Sequence, residues 1–221
     1  MRPRVVAIDG AAGSGKSTLA RLLARSLGLP HVDTGAMYRA LTYAARRADV
    51  DVEDAEALEG MLGTLRFRLS SIEPRELLID DAPPSEELRS ADVEANVSAA
   101  ARHPEVRSAM RAAQRDLGER GAVMEGRDIG TAVFPDAPVK IWLVADPEER
   151  AGRRVDQRGA SGVAGALHER DRRDARVHPF EPAPDATVID TSDLDVHETL
   201  RSALAVVAER APELLPEGSR P

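Results

Sequence analysis

Eight residues near the N-terminus narrow the fold more than any other part of this 221-residue chain. Gly10-Ala11-Ala12-Gly13-Ser14-Gly15-Lys16-Ser17, with Thr18 behind them, directly follow the apolar run Val5-Val6-Ala7-Ile8. They fit G-x-x-x-x-G-K-[ST], a loop that works only between a strand and a helix. The glycines let the backbone curl until successive N–H groups face one point. The following helix adds the partial positive charge of its N-terminus. That helix is legible as a stripe of Leu19, Leu22, Leu23 and Leu27, stopped by Gly28. Such a loop holds the phosphates of a nucleoside triphosphate. Lys16 is positioned for the β- and γ-phosphates and the Ser17 hydroxyl for Mg²⁺. This predicts nucleotide binding and leaves open what is done with the nucleotide.

The rest of the chain reads as the α/β fold that the loop requires. Val5–Ile8, Ala122–Met124, Val139–Val144 and Thr187–Ile189 are short apolar runs, and His31-Val32 is a weaker fifth. Apolar runs separated by helical stretches predict parallel strands covered on both faces. Two further helices are expected at 105–117, behind Pro104, and at 198–208, where Leu200, Leu204 and Val207 share a face. Residues 64–82 alternate around Glu73-Pro74 and predict an antiparallel hairpin inside an inserted lobe at 35–98. Residues 148–178 carry eight arginines and a Gly/Ala/Ser stretch at 159–165, which predicts a mobile charged flap.

Composition removes whole classes of function. The chain has no cysteine, which excludes a disulfide scaffold, a thiolate metal site and a cysteine nucleophile. A formal net charge of −8 makes it a poor binder of nucleic-acid polymers. No apolar run approaches the ~20 residues that span a bilayer. Met1 to Asp9 lead straight into a strand-like run, so a cytoplasmic address is expected. No apolar helix surface is left over, so a monomer is expected. Only two of the 30 basic residues are lysines, Lys16 and Lys140, so a lysine inside a motif carries weight.

Two further strand ends carry chemistry. Asp33-Thr34-Gly35-Ala36-Met37-Tyr38-Arg39 follows the weak second strand. Asp33 or Thr34 suits a helix N-cap, yet the carboxyl ends of strands in open α/β sheets are where ligands bind. Tyr38 offers a ring for a sugar or base, and Arg39 lies one turn on, in reach of a phosphate. Glu125-Gly126-Arg127-Asp128-Ile129-Gly130-Thr131 closes another apolar run. Glu125 is placed to hold a water of the Mg²⁺ shell. Arg127 and Asp128 read either as a surface ion pair or, given the flanking glycines, as a segment closely approached by a ligand.

Taken together, these pieces resemble the bacterial cytidylate kinases, a family of nucleoside-monophosphate kinases. The matching segments are 10–17, 33–39, 126–131, Val133-Phe134-Pro135-Asp136-Ala137, and Glu169-Arg170-Asp171 with Arg173-Asp174, spread over about residues 4–192. The resemblance implies a single P-loop kinase domain over 1–221. Its three-layer α/β fold would hold a five-stranded parallel core, a monophosphate-binding insertion at 35–98 and a lid at 148–178. It implies that Ser98, Arg107 and Asp128 read the cytosine edge, and that Thr34, Tyr38 and Asp174 lie near the acceptor nucleotide. Arg39, Arg127, Arg170 and Arg176 would hold phosphates, with Lys16, Arg127, Arg170 and Arg173 catalytic. On spacing alone, Ser98 and Arg107 read as ordinary helix-surface residues. Arg150, Arg153 and Arg154, at the base of the lid, are candidates for contact with the donor adenine. The chain departs from the family at Ala11, where proline is common, in a shorter, glycine-rich lid, and in a shortened stretch at 174–179.

The implied reaction is phosphoryl transfer from ATP with Mg²⁺ to CMP, and to dCMP as second acceptor. The attacking phosphate oxygen is already anionic near neutrality, so no general base is needed. Two other readings stay open at this point: a kinase of UMP or AMP, and a protein that uses bound nucleotide as a switch.

Overall fold

The computed structural model describes residues 3–158 and 181–218. Five parallel strands form the central sheet: β1 (Val5–Gly10), β2 (His31–Asp33), β5 (Ala122–Gly126), β6 (Val139–Val144) and β7 (Thr187–Asp190). Their order across the sheet is β2-β5-β1-β6-β7. All five expected runs are strands, the weak His31-Val32 included. β2 pairs with β5 through His31↔Val123, Val32↔Met124 and Asp33↔Glu125. β1 is central, paired with β5 on one side and β6 on the other.

Alternation along β1 divides the core in two. Val5 and Ala7 point into a cluster with Met37, Leu41, Leu58, Val106 and Met110. These come from α2 (Thr34–Arg47), α3 (Ala55–Leu62) and α5 (Pro104–Gly118). Val6 and Ile8 point the other way, against Leu19, Leu23 and Leu27 of α1 (Lys16–Leu27) and Ala203 and Val207 of α7 (Val196–Arg210). Both faces are therefore covered, which is why the strands are continuously apolar.

The expected hairpin is present as β3 (Phe67–Leu69) and β4 (Leu77–Ile79), paired Phe67↔Ile79 and Leu69↔Leu77. It hangs from the outer edge of β2, where the His31 N–H donates to the Arg75 carbonyl at 3.0 Å. A short 3₁₀ turn, Glu86–Arg89, then leads to α4 (Ala91–Ala100). The glycine stop of α1 holds: Gly28 has φ 62° and its N–H bonds back to the helix.

The face of α7 differs from expectation. Thr199, Ala203, Val206 and Val207 are buried, whereas Leu200 and Leu204 are only partly buried at the rim. Ala203, fully buried, lets the helix approach closely and turns the leucines to the flanks, a role that a search for large residues overlooks. Lys140, the second lysine, is a strut: its ammonium donates to the Pro135 carbonyl at 2.5 Å and to Asp185 at 2.8 Å. Among the described residues, no helix is long and apolar enough to cross a membrane.

Candidate active site

The loop after β1 has the conformation its glycines permit. Gly13 and Gly15 adopt φ 79° and 92°, and Gly15 is the N-cap of α1. The Lys16 ammonium spans the loop and donates to the Ala11 carbonyl at 2.6 Å. The Ser14 hydroxyl is buried with no hydrogen-bond partner, beside Gly10. A buried hydroxyl left in this way is a donor suited to a phosphate oxygen.

The base of α6 (Pro147–Arg158) roofs this loop. Arg150 donates to the Ala12 carbonyl at 3.2 Å. Arg153 donates to the Thr191 carbonyl at 2.5 Å, and the Thr191 hydroxyl donates to the Ser14 carbonyl at 3.2 Å. Arg150 and Arg153 thus bind protein backbone; neither Thr191 nor these backbone partners were legible in the sequence. A cleft of about 1070 Å³ opens alongside, lined in part by Gly13, Lys16, Ser17, Thr18, Arg89 and Arg153. Arg170, Arg173, Asp174 and Arg176, with the rest of the expected lid from 159 to 178, lie outside the described residues.

Glu125, buried at the end of β5, ties three elements together. Its Oε2 accepts from the Ser17 hydroxyl at 2.7 Å. Its Oε1 lies 3.0 Å from His31 Nε2, and its carbonyl accepts from the Thr34 hydroxyl at 2.7 Å. The two residues expected at a metal are therefore hydrogen-bonded to each other, while Thr34 secures the start of α2. The sequence placed His31 in a weak strand but gave no sign of its contact with Glu125, 94 positions away.

Asp33 caps α2 by accepting from the Ala36 N–H at 2.9 Å, and it also pairs with Arg39 at 2.9 Å and Arg89 at 3.5 Å. Burial alone would raise its pKa; Arg39, Arg89 and the Ala36 N–H outweigh burial and hold the carboxylate below its ordinary range. Asp33 thus caps α2 and also pairs with two arginines.

The opposite wall is built on β5 and its continuation. Arg127 reaches across to β1 and donates to the Gly10 carbonyl at 2.5 Å. Asp128 accepts from Arg111 of α5 at 2.7 Å, so the adjacent Arg127 and Asp128 lead to different partners. Tyr38 sits in the same neighbourhood: burial, reinforced by the Asp128 charge, pushes its phenol well above the ordinary range, with Arg111 and Arg107 opposing. Ser98 is buried on α4, not at a helix surface. Arg107 folds back, donating to the Arg102 carbonyl at 2.6 Å. The glycine beside Arg127 is required by protein packing: a Cβ on Gly126 would lie 2.7 Å from the Thr34 hydroxyl.

Residues 6–209 match the family model described as cytidylate kinase. The chain belongs to the cytidylate kinase family. It is 43% identical over 216 residues to the cytidylate kinase of Geobacillus thermodenitrificans, covering 93% of this chain and 96% of that one. It is 38% identical over 216 residues to the cytidylate kinase of Ligilactobacillus salivarius, with the same coverage of 93% and 96%. It is also 41% identical over 225 residues to the bifunctional pantoate ligase/cytidylate kinase of Prochlorococcus marinus. There the match takes in 96% of this chain, which spans only 46% of that relative's length.

One residue of this cytidylate kinase family member went unread in the sequence. Asp9, at the end of β1, accepts from the Ile129 N–H at 2.9 Å and the Gly130 N–H at 2.8 Å. It clamps a turn at Ile129–Val133 whose Phe134 N–H bonds to the Ile129 carbonyl, an i→i+5 pattern that often marks functional sites. Burial raises its pKa to about 6, against the two N–H donors. Folded Asp9 therefore holds its proton more tightly than the unfolded chain does. Its contribution favours folding below pH ~4 and is lost as pH rises through ~6. Between these limits, wild type is expected to lose about 2–3 kcal/mol relative to Asp9→Asn, which does not titrate. Urea denaturation of both proteins from pH 4 to 7 checks this; parallel profiles would contradict it.

Proposed function

We propose that this chain transfers the γ-phosphoryl group of ATP to CMP, releasing ADP and CDP, with dCMP as second acceptor. One observation supports it above the others. Arg127, beside the acceptor-side carboxylate Asp128, donates to Gly10 at the start of the phosphate loop, so donor and acceptor walls meet at adjacent strands. A direct transfer needs that proximity.

In this reading the loop N–H groups, Lys16 and Ser14 hold the donor phosphates. Arg39, oriented by Asp33, and Arg127 hold the acceptor phosphate. Tyr38, Ser98, Arg107 and Asp128 surround the acceptor base and sugar. Residues 35–98 form the acceptor lobe. The family resemblance assigns Arg170 and Arg173, in the expected lid at 148–178, to catalysis, and Asp174 and Arg176 to the acceptor. Transfer is in line, with positioning and charge stabilisation doing the catalysis and no base extracting a proton.

Mg²⁺ fits the residues present. The Ser17 hydroxyl and Glu125 carboxylate, 2.7 Å apart, are hard oxygen donors next to the loop. Ser17 would bind the ion directly and Glu125 through a water. When bound, Mg²⁺ neutralises charge on the donor's phosphates.

The test is ADP release with ATP and Mg²⁺ and, in parallel, CMP, dCMP, UMP, AMP and dTMP. Fast release is expected with CMP and dCMP alone. Release with UMP or AMP would keep the kinase and discard the base-reading roles. Slow release indifferent to every acceptor would leave the nucleotide switch.

A further inference from the structure

We propose that Arg111 is a specificity-positioning residue of the acceptor pocket, acting through its ion pair with Asp128. The inference rests on the cytidine-acceptor reading above and deepens it.

Arg111 lies one helical turn beyond Arg107, on the face of α5 that meets the segment after β5. Its Nη2 donates to Asp128 Oδ2 at 2.7 Å, and the two side chains are only 26% and 22% exposed. Its Nε is buried with no hydrogen-bond partner, so the guanidinium is held there at some cost in solvation. The next α5 arginine on this face, Arg115, donates to the Val133 and Ala132 carbonyls at 2.9 and 2.7 Å. Asp9 grips the same turn from below through Ile129 and Gly130. The turn is thus fixed at both ends, and Arg111 fixes the carboxylate that leads into it.

A carboxylate accepts at about four lone-pair positions, so a guanidinium on Oδ2 leaves capacity for a further donor. The exocyclic amino group of cytosine is such a donor. Uracil presents a carbonyl oxygen there, lone pair against lone pair. Discrimination between the two bases then depends on where the Asp128 oxygens point, and Arg111 sets that direction. Arg111 itself need not touch the nucleotide.

The experiment compares wild type, Arg111→Met, Arg111→Lys, and Arg111→Met in an Asp128→Ala background. The readouts are KM and kcat for CMP and UMP, KM for ATP, and the melting temperature. Arg111→Met is expected to raise KM for CMP about tenfold and cut CMP-over-UMP preference by a similar factor, the cost of one misdirected hydrogen bond to a charged group. KM for ATP should stay put. Lysine, which keeps one charged donor, should restore part of the preference. In the Asp128→Ala background, Arg111→Met should add nothing. Unchanged CMP preference in soluble Arg111→Met, equal rises in both KM values, or full additivity with Asp128→Ala would each overturn the proposal. Should methionine prevent folding, Arg111→Lys and Arg111→Gln carry the same comparison. Failure of wild type to turn over CMP is a separate result and would overturn the acceptor reading on which this rests.

Discussion

Lys16→Ala is expected to lower kcat by about 10³-fold while leaving the melting curve nearly unchanged, on the scale seen when one preorganised charge donor to a transferring phosphoryl group is removed. Lys16 starts α1, outside both core clusters, and its ammonium lies 2.6 Å from the Ala11 carbonyl within the loop. Losing that hydrogen bond costs only about 1 kcal/mol of stability. Only two lysines are present and the other, Lys140 on β6, is committed to Pro135 and Asp185, so no second ammonium stands in. Turnover and thermal unfolding of the same preparation check this. Near-normal turnover with a normal melting curve would remove the phosphate loop from the chemistry.

Asp128→Ala is expected to act on the other substrate, raising KM for CMP by about 10²-fold with KM for ATP within about twofold, because Arg111 and, in the proposed reading, a base amino group both lose an ionised partner. The carboxylate is three-quarters buried beside Tyr38 and paired with Arg111. The phosphate loop is joined to this segment by the Arg127 bond to Gly10 and the Asp9 bonds to Ile129 and Gly130, and none of these three bonds uses the Asp128 carboxylate. Steady-state kinetics with each substrate varied in turn separate the two sites. An effect confined to ATP would mean that the acceptor wall has been assigned to the wrong side of the cleft.

The phosphate loop and its flanking strand and helix were legible in the sequence because they are local. Gly10 to Ser17 lie on one loop, and the strand before and the helix after are read from adjacent residues. The five strands and the hairpin were legible as runs, and Gly28 and Pro104 gave helix ends. What escaped depends on pairings that no local pattern encodes. Asp9 stands between an apolar run and the phosphate loop with nothing to mark it, and its partners are 120 and 121 positions away. Arg111 was one of many arginines, marked only by standing four residues after Arg107 on one helix face. Ser98 read as surface because a small hydroxyl on a weakly amphipathic helix gives no burial signal; the packing of α4 decides it. Asp33 had two readings, cap and ligand-side residue; the structure shows the capping bond, and it adds two arginine partners that no local pattern announced.

The most direct test of the account follows the phosphorus itself. The chain is incubated with Mg²⁺, CMP and ATP labelled in the γ-phosphate, and the products are separated. The account predicts that label appears in CDP, in step with ADP and only when CMP is present. Label released as inorganic phosphate at a rate indifferent to CMP would contradict it.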